Sequence, residues 1–424
     1  MSKGRSEGST VKMLHEVPPT AGLALTWADL AGRAREPDLS RALANYLGVE
    51  SVGIACSGTA ALIVALETLK RQNGRRTVVI PAYTCPLVPL AVAYVGLRVK
   101  LCDLSPNRFD LDSADLAAAC DGDTLAVVPT HLCGMAANLE PVLEIAQRAG
   151  AFVVEDAAQA LGATWHGRPV GTLGDIGIYS LSRGKGLTVY EGGFWVARSQ
   201  ELQAAIAETA DRLLPFRAGV EFLRFLQVIG YRLFYNPIGL RFAYGLPLRR
   251  ALARGDLVRA VGDEFRYEIP LHRMSSWRRR IGASALSRLP AAISANARRG
   301  RLRASRVREV PRITVVDELP DTTGTWPFLM ILTELAEARD RVMERLWMEG
   351  LGVNRLFIHD LTGYKYLKAI VPNAEVCNAR SFADRSFSVS NSEHLPENSF
   401  RRICDVIARE VVGSTTCSQL HSAG

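Results

Sequence analysis

The eight cysteines, at positions 56, 85, 102, 120, 133, 377, 404 and 417, include no CxxC pair and no metal-ligand spacing. No metal site is therefore expected. Most lie in apolar runs, as buried free thiols do in a reducing compartment, so the expected location is cytoplasmic. The first dozen residues, MSKGRSEGSTVK, lack an apolar h-region, and no signal peptide is expected. Two phosphate-binding fingerprints are missing as well. No GxGxxG follows the first strand. A P-loop around Lys185 would need glycine at 179 and serine or threonine at 186, where Tyr179 and Gly186 stand. No nucleic-acid-binding motif accompanies the arginines crowded at 278–280 and 298–308, so they read as a solvated basic face rather than a nucleic-acid surface. The most apolar stretch, 220–248, is interrupted by Arg224, Arg232 and Arg241 and broken by Pro237. It falls short of the roughly 20 apolar residues that a span requires. It reads as a buried helical hairpin, the reading that composition favours. The alternative is a peripheral membrane contact at the inner face.

What is present is a chain of 424 residues, 48% hydrophobic and 22% charged, with net charge +8. That is enough apolar material for one large core and a smaller second one. The positive charge suits an anionic ligand or surface without specifying a fold. No fixed-period repeat occurs. In the first half, short β-rich runs at Thr77–Ile80, Val99–Leu104, Leu125–Pro129, Phe152–Glu155, Ile176–Ser180 and Gly193–Ala197 alternate with helical patterns near 58–72, 86–95, 113–120 and 138–149. Such alternation predicts βαβ units and a mostly parallel sheet covered on both faces, with ligands at the carboxyl ends of the strands. After about residue 200 the chain becomes helical and arginine-rich. Strands are expected near Ile313–Val316 and Trp326–Leu332. Helices are expected at 335–349, with Gly350 and Gly352 as C-caps, and at 397–411. The expected organisation is a flexible arm (1–20), a large α/β domain (21–255), a smaller C-terminal α+β domain (256–412) and a flexible tail (413–424).

Three stretches could carry chemistry. Ser57-Gly58-Thr59 opens a helix after the apolar run Val52–Cys56, and a helix N terminus is an anion site; it is equally a plain serine N-cap. Phe152-Val153-Val154-Glu155-Asp156-Ala157-Ala158-Gln159 ends a buried strand in two carboxylates. Asp156 and Gln159 fit a capping box, or Asp156 faces a protonated ring nitrogen and keeps it charged. Ser180-Leu181-Ser182-Arg183-Gly184-Lys185-Gly186 places a lysine in a glycine-containing loop after a buried strand, with Glu191-Gly192-Gly193 following. A desolvated lysine there would attack an aldehyde as its neutral amine; a loop lysine is otherwise ordinary surface.

The three motifs, in this order and each at the carboxyl end of a strand, resemble the sugar aminotransferases of the DegT/DnrJ/EryC1/StrS group, fold-type-I pyridoxal 5'-phosphate (PLP) enzymes. Ile80–Thr84, Thr130–Gly134 and Gly171–Gly177 match as well, within a resemblance running from about Leu43 to Val196. It implies that Lys185 is the Schiff-base lysine, that Asp156 pairs with the pyridinium and that Gln159 bonds the ring hydroxyl. It places Gly58, Thr59 and Ser180 on the cofactor phosphate. A lysine at 185 implies the transaminating branch, since the dehydratase branch carries histidine there. The implied reaction moves an amino group from a donor such as L-glutamate to a nucleotide-linked keto sugar, in a homodimer. Two departures stand out. Cys85 replaces an aromatic residue that usually stacks on the cofactor ring. Leu271-His272-Arg273-Met274 replaces an Asn-Tyr-Arg-Met stretch that reaches the neighbouring subunit's cofactor. Two other readings stay open: a PLP enzyme acting on a non-sugar or lipid-linked substrate, and a non-catalytic, membrane-associated relative.

Overall fold

In the computed structural model, residues 15–32 and 36–412 are described. The expected tail and the first 14 residues of the expected arm lie outside them. Residues 15–20 are held in place: Glu16 N–H donates to Pro237 O at 3.0 Å, Val17 N–H to Gly350 O at 2.9 Å, and both side chains are buried.

Seven strands form the large sheet: β1 (Gly53–Ala55), β2 (Thr77–Pro81), β3 (Arg98–Cys102), β4 (Thr124–Val127), β5 (Phe152–Asp156), β6 (Ile176–Ser180) and β7 (Gly193–Ala197). Their order is β1-β7-β6-β5-β4-β2-β3. Only β7 runs against its neighbours; the pairs from β6 through β3 are parallel. Helices Gly58–Gln72, Leu87–Tyr94, Ser113–Ala119 and Glu140–Ala149 make the crossovers. Every residue of β2 and of β6 is buried, as a sheet with both faces covered requires. The expected α/β architecture with a mostly parallel sheet is therefore observed.

A second, wholly antiparallel sheet of four strands contains β8 (Ile313–Val315), β9 (Phe328–Thr333), β10 (Val353–Asn354) and β11 (Ser386–Ser390), in the order β8-β9-β11-β10. Helices Ala336–Leu346 and Glu397–Val412 accompany it. β11 is not among the strands expected from sequence, although Ser-Phe-Ser-Val-Ser has strand alternation, and all five of its residues are buried. Gly350 and Gly352 both adopt left-handed backbone, but they follow the helix end at Leu346 by several residues.

The apolar block is helical but is not a buried hairpin. It forms helix Ala218–Phe234, a short helix Pro237–Leu240 started by the Asn236 cap, a π-helical turn at Arg241–Gly245, and helix Leu246–Ala253. In the first of these helices only Glu221 and Val228 are buried. The core-packing expectation fails because the polar side of this helix is the inward one. Glu221 accepts from Ser275 N–H at 2.9 Å and from Arg278 Nε at 3.0 Å, and pairs with His272 Nε2 at 3.1 Å. No helix among the described residues is long and apolar enough to cross a membrane.

The carboxyl edge of the large sheet is organised by Glu155, which is fully buried. Oε1 accepts from Leu173 and Gly174 N–H, and Oε2 from Gly171 N–H, each at 2.6 Å. Oε2 also takes His131 Nε2 at 3.0 Å. Ala137 N–H donates to His131 Nδ1 at 2.9 Å, which leaves Nε2 as the protonated nitrogen that donates to Glu155. Glu155→Ala would strand these donors, and a buried unmet donor costs about 1–3 kcal/mol. The variant is expected to lose at least about 3 kcal/mol in denaturant unfolding, whereas an exposed control such as Glu144→Ala loses almost nothing.

Candidate active site

A cleft of about 1510 Å³ opens at the carboxyl ends of the large sheet. Gly58, Thr59, Asp156, Gln159, Ser180 and Lys185 all line it, so each residue singled out in the sequence reaches one cavity. The helix Gly58–Gln72 begins at its floor. Ser57 is the N-cap, its hydroxyl accepting from Ala60 N–H at 3.0 Å. The N–H groups of Gly58 and Thr59 are left without intrahelical partners, as at every helix start. Two glycines make this floor compact. A Cβ on Gly58 would lie 3.2 Å from Ser180 Cβ, and one on Gly193 only 2.3 Å from Gly58 N. The serine-cap and anion-site readings of this segment are thus compatible, since the cap occupies Ala60 and not the two N–H groups before it.

Asp156 is 4% exposed. Oδ1 accepts from Ala158 N–H at 3.0 Å. Burial raises its pKa, against the lowering pull of Ala158 N–H, Lys185 and His131. The capping-box reading fails because no helix follows. Gln159 instead turns to the neighbouring loop, where its Oε1 accepts from Cys133 N–H at 3.2 Å. Cys133 has a left-handed φ of 59°, a conformation that costs an ordinary residue energy and collects at functional sites. Lys185, on the loop after β6, is desolvated, and burial lowers its pKa despite the opposing influence of Cys85 and Asp156.

Cys85 also lines the cleft. Burial pushes its thiol up to about 12, so it sits there as a neutral, slightly polar surface. Leu271-His272-Arg273-Met274 does not act as a free arm. Leu271 and Met274 are buried, and His272 pairs with Glu221. Arg273 reaches Asp211 at 2.8 Å near the surface.

Several cleft residues carried no signal strong enough to assign a role from sequence. His131 stood inside a recognisable stretch, and its tie to Glu155 is visible only in three dimensions. Thr84 and Thr130 share a hydrogen bond at 3.2 Å beside it. Arg355 directly follows β10 of the small sheet and is 7% exposed. Its Nη2 donates to Ile358 O and Ala383 O, each at 2.7 Å. Its Nε is buried without a partner, and no carboxylate pairs with it among the described residues. Burial lowers its pKa to about 10, with Arg339 adding to the effect.

A sheet reversed only at β7, with a lysine loop after β6, a carboxylate ending β5 and a helix N terminus after β1, is the architecture of fold-type-I transferases. The segment 25–214 matches the model of the DegT/DnrJ/EryC1/StrS aminotransferase family. It is 37% identical over 180 residues to GDP-perosamine synthase of Caulobacter vibrioides, covering 42% of this chain and 48% of that one. It is 36% identical over 174 residues to UDP-N-acetyl-3-dehydro-alpha-D-glucosamine 3-aminotransferase of Acidithiobacillus ferrooxidans, covering 41% and 46%. The match thus spans less than half the length of either relative. The fold extends further. Helicobacter pylori PseC, described as an aminotransferase involved in the biosynthesis of pseudoaminic acid, superposes with TM-score 0.73 at 14% identity over 94% of this chain and 100% of that one.

The His272–Glu221 contact predicts a pH dependence. Burial opposes the imidazolium, but Cys56 and Glu221 outweigh it and raise His272 to about 9. A group raised in the folded state adds stability that is complete below its unfolded value of about 6.5 and is lost as pH rises through about 9. The thermal midpoint is expected to fall across that window, and the fall should be smaller in His272→Gln.

Proposed function

We propose that this chain is a PLP-dependent aminotransferase that moves an amino group from L-glutamate to a nucleotide-linked keto sugar, in the synthesis of a cell-surface polysaccharide or a secondary metabolite. The observation that carries this reading is the convergence of Asp156, Gln159 and Lys185 on one cleft, above the free N–H groups of Gly58 and Thr59. The residues fit the cofactor chemically. A buried carboxylate lining the cleft suits a cationic ring nitrogen, and a desolvated amine suits an aldehyde. A glycine-floored helix start suits a phosphate. When bound, the cofactor supplies an electron sink for the bond broken at the donor α-carbon.

The chain's own residues would divide the remaining work. Lys185 Nζ, whose ammonium form is disfavoured by burial, removes the proton from the donor α-carbon. Asp156 keeps a positive charge on the ring nitrogen. Gln159, with Oε1 committed to Cys133 N–H, has its amide N–H groups left to donate to a ring hydroxyl. Gly58, Thr59 and Ser180 hold the phosphate. Arg355, a buried cation with an unmet Nε, receives a carboxylate of the donor. The sugar class is supported by the names of the matched relatives, which point to nucleotide-linked keto sugars. By the family resemblance, the working unit is a homodimer in the cytoplasm, with no nucleic-acid partner.

The test is the visible absorption spectrum after reconstitution with PLP. Wild-type protein should show a visible band that bleaches on adding L-glutamate, and Lys185→Ala should show neither. A protein that stays colourless would overturn the reading in favour of a non-catalytic relative. Arg355→Gln should keep the band but need roughly tenfold or more glutamate for half-bleaching, the size expected for losing a charge-assisted hydrogen bond of about 1.5–3 kcal/mol. Unchanged glutamate dependence would remove Arg355 from the site.

A further inference from the structure

Helix Ala218–Phe234 is inside out. Its inward side carries Glu221, Arg224, Val228, Tyr231 and Tyr235, at helical spacing. Glu221 is tied to Arg278 and His272, and Arg224 pairs with Glu191. The opposite side carries Phe222, Leu226, Ile229 and Leu233 at i, i+4, i+7 and i+11, flanked by Leu223 and Phe225. Phe222 is 64% exposed and Leu226 49%. Beyond the helix, Ile238, Phe242 and Leu246 continue the apolar surface, each exposed. Trp27, also exposed, lies against Arg232, whose guanidinium is 5.0 Å from its ring centre. Soluble surfaces rarely leave so contiguous an apolar face uncovered.

The charge around this face is mostly positive, although Glu191 pairs with Arg224 and Glu16 with Arg241 and Arg249. Residues 212–262 contain nine arginines, two carboxylates and no lysine. Their balance of +7 is nearly all of the chain's net +8. Of the two carboxylates, Glu221 is buried in its ion pair, and Asp256 caps Arg259 N–H at 3.0 Å. Arg217, Arg250, Arg254 and Arg259 are exposed and have no acidic partner among the described residues.

We propose that this face docks on an anionic lipid bilayer, with the Phe and Leu side chains entering the acyl boundary and the arginines meeting lipid phosphates. Exposed aromatic and aliphatic side chains beside a basic rim are the chemistry of interfacial helices. A second copy of the chain is a poor occupant. A two-fold interface sets a surface against itself, and here it would bring the unpaired arginines of two copies together. Arg250, Arg254 and Arg259 also line the cleft, so docking sets the cleft beside the lipid surface. The proposal is independent of the transamination reading.

The experiment is flotation of the full chain with phosphatidylcholine vesicles, and with vesicles of equal phosphatidylcholine and phosphatidylglycerol. Wild-type protein should float with the phosphatidylglycerol vesicles and be released by high salt. Binding should fall about fivefold for each of Arg250, Arg254 and Arg259 changed to Gln. Phe222→Ser with Leu226→Ser, at exposed positions outside the cleft, should abolish flotation while circular dichroism and PLP binding stay as in wild type. Failure of wild-type protein to float would overturn the proposal, as would undiminished flotation of the Phe222→Ser/Leu226→Ser variant. So would a change from two chains to one in the sedimentation mass of that variant, which would assign the face to a second copy.

Discussion

A carboxylate with no route to water sets the geometry on which the cleft depends. Buried charge is tolerated only when every lone pair is met, and Glu155 achieves this with three backbone N–H groups and one imidazole. The consequence is positional. Residues 171–174 are drawn to the end of β5, and His131 is locked in one tautomer and orientation. Asp156, the next residue, must then point to the other side of the strand, where the cleft lies. One buried acid therefore decides which way its neighbour faces, and two adjacent carboxylates acquire different duties from strand alternation alone.

The same principle explains the inverted helix. Glu221 could not have been buried alone. With Arg278, His272 and Ser275 N–H around it, the polar side of helix 218–234 becomes the anchored side. A helix with one polar and one apolar stripe has a single rotational choice, and fixing Glu221 inward turns Phe222 and Leu226 outward. The exposed apolar face is thus a consequence of a satisfied buried ion pair rather than of poor packing.

How much of this was legible in the sequence follows from the range of the interactions. The strands β2 to β7 and the first four crossover helices could be read closely, because period and turn chemistry are local. Ser57 as N-cap was legible for the same reason. Asp156 and Gln159 had the right spacing for a capping box, but the chain does not enter a helix there, since Gln159 is claimed by Cys133 N–H on a loop 26 residues away. The direction of helix 218–234 was not legible at all. Composition marks it as apolar, and core burial is the usual fate of apolar helices; its orientation depends on Arg278, 57 residues further on. Arg355 was invisible because nothing local distinguishes a cleft arginine beside a second sheet from the many arginines at the surface.

In the proposed site, Asp156 and Lys185 are not set up as a structural ion pair. Asp156 and Lys185 attract each other, yet burial still shifts Asp156 up and Lys185 down. Both groups are pushed toward neutrality because desolvation outweighs their mutual attraction. A structural salt bridge would show the opposite shifts. In the proposed reading the pair is unfinished: the carboxylate would take a cation, and the amine would act as a base or nucleophile. A ligand that brings positive charge to Asp156 and an electrophilic carbon to Lys185 relieves both penalties at once. In the proposed site, binding affinity and readiness for proton transfer would come from the same desolvation.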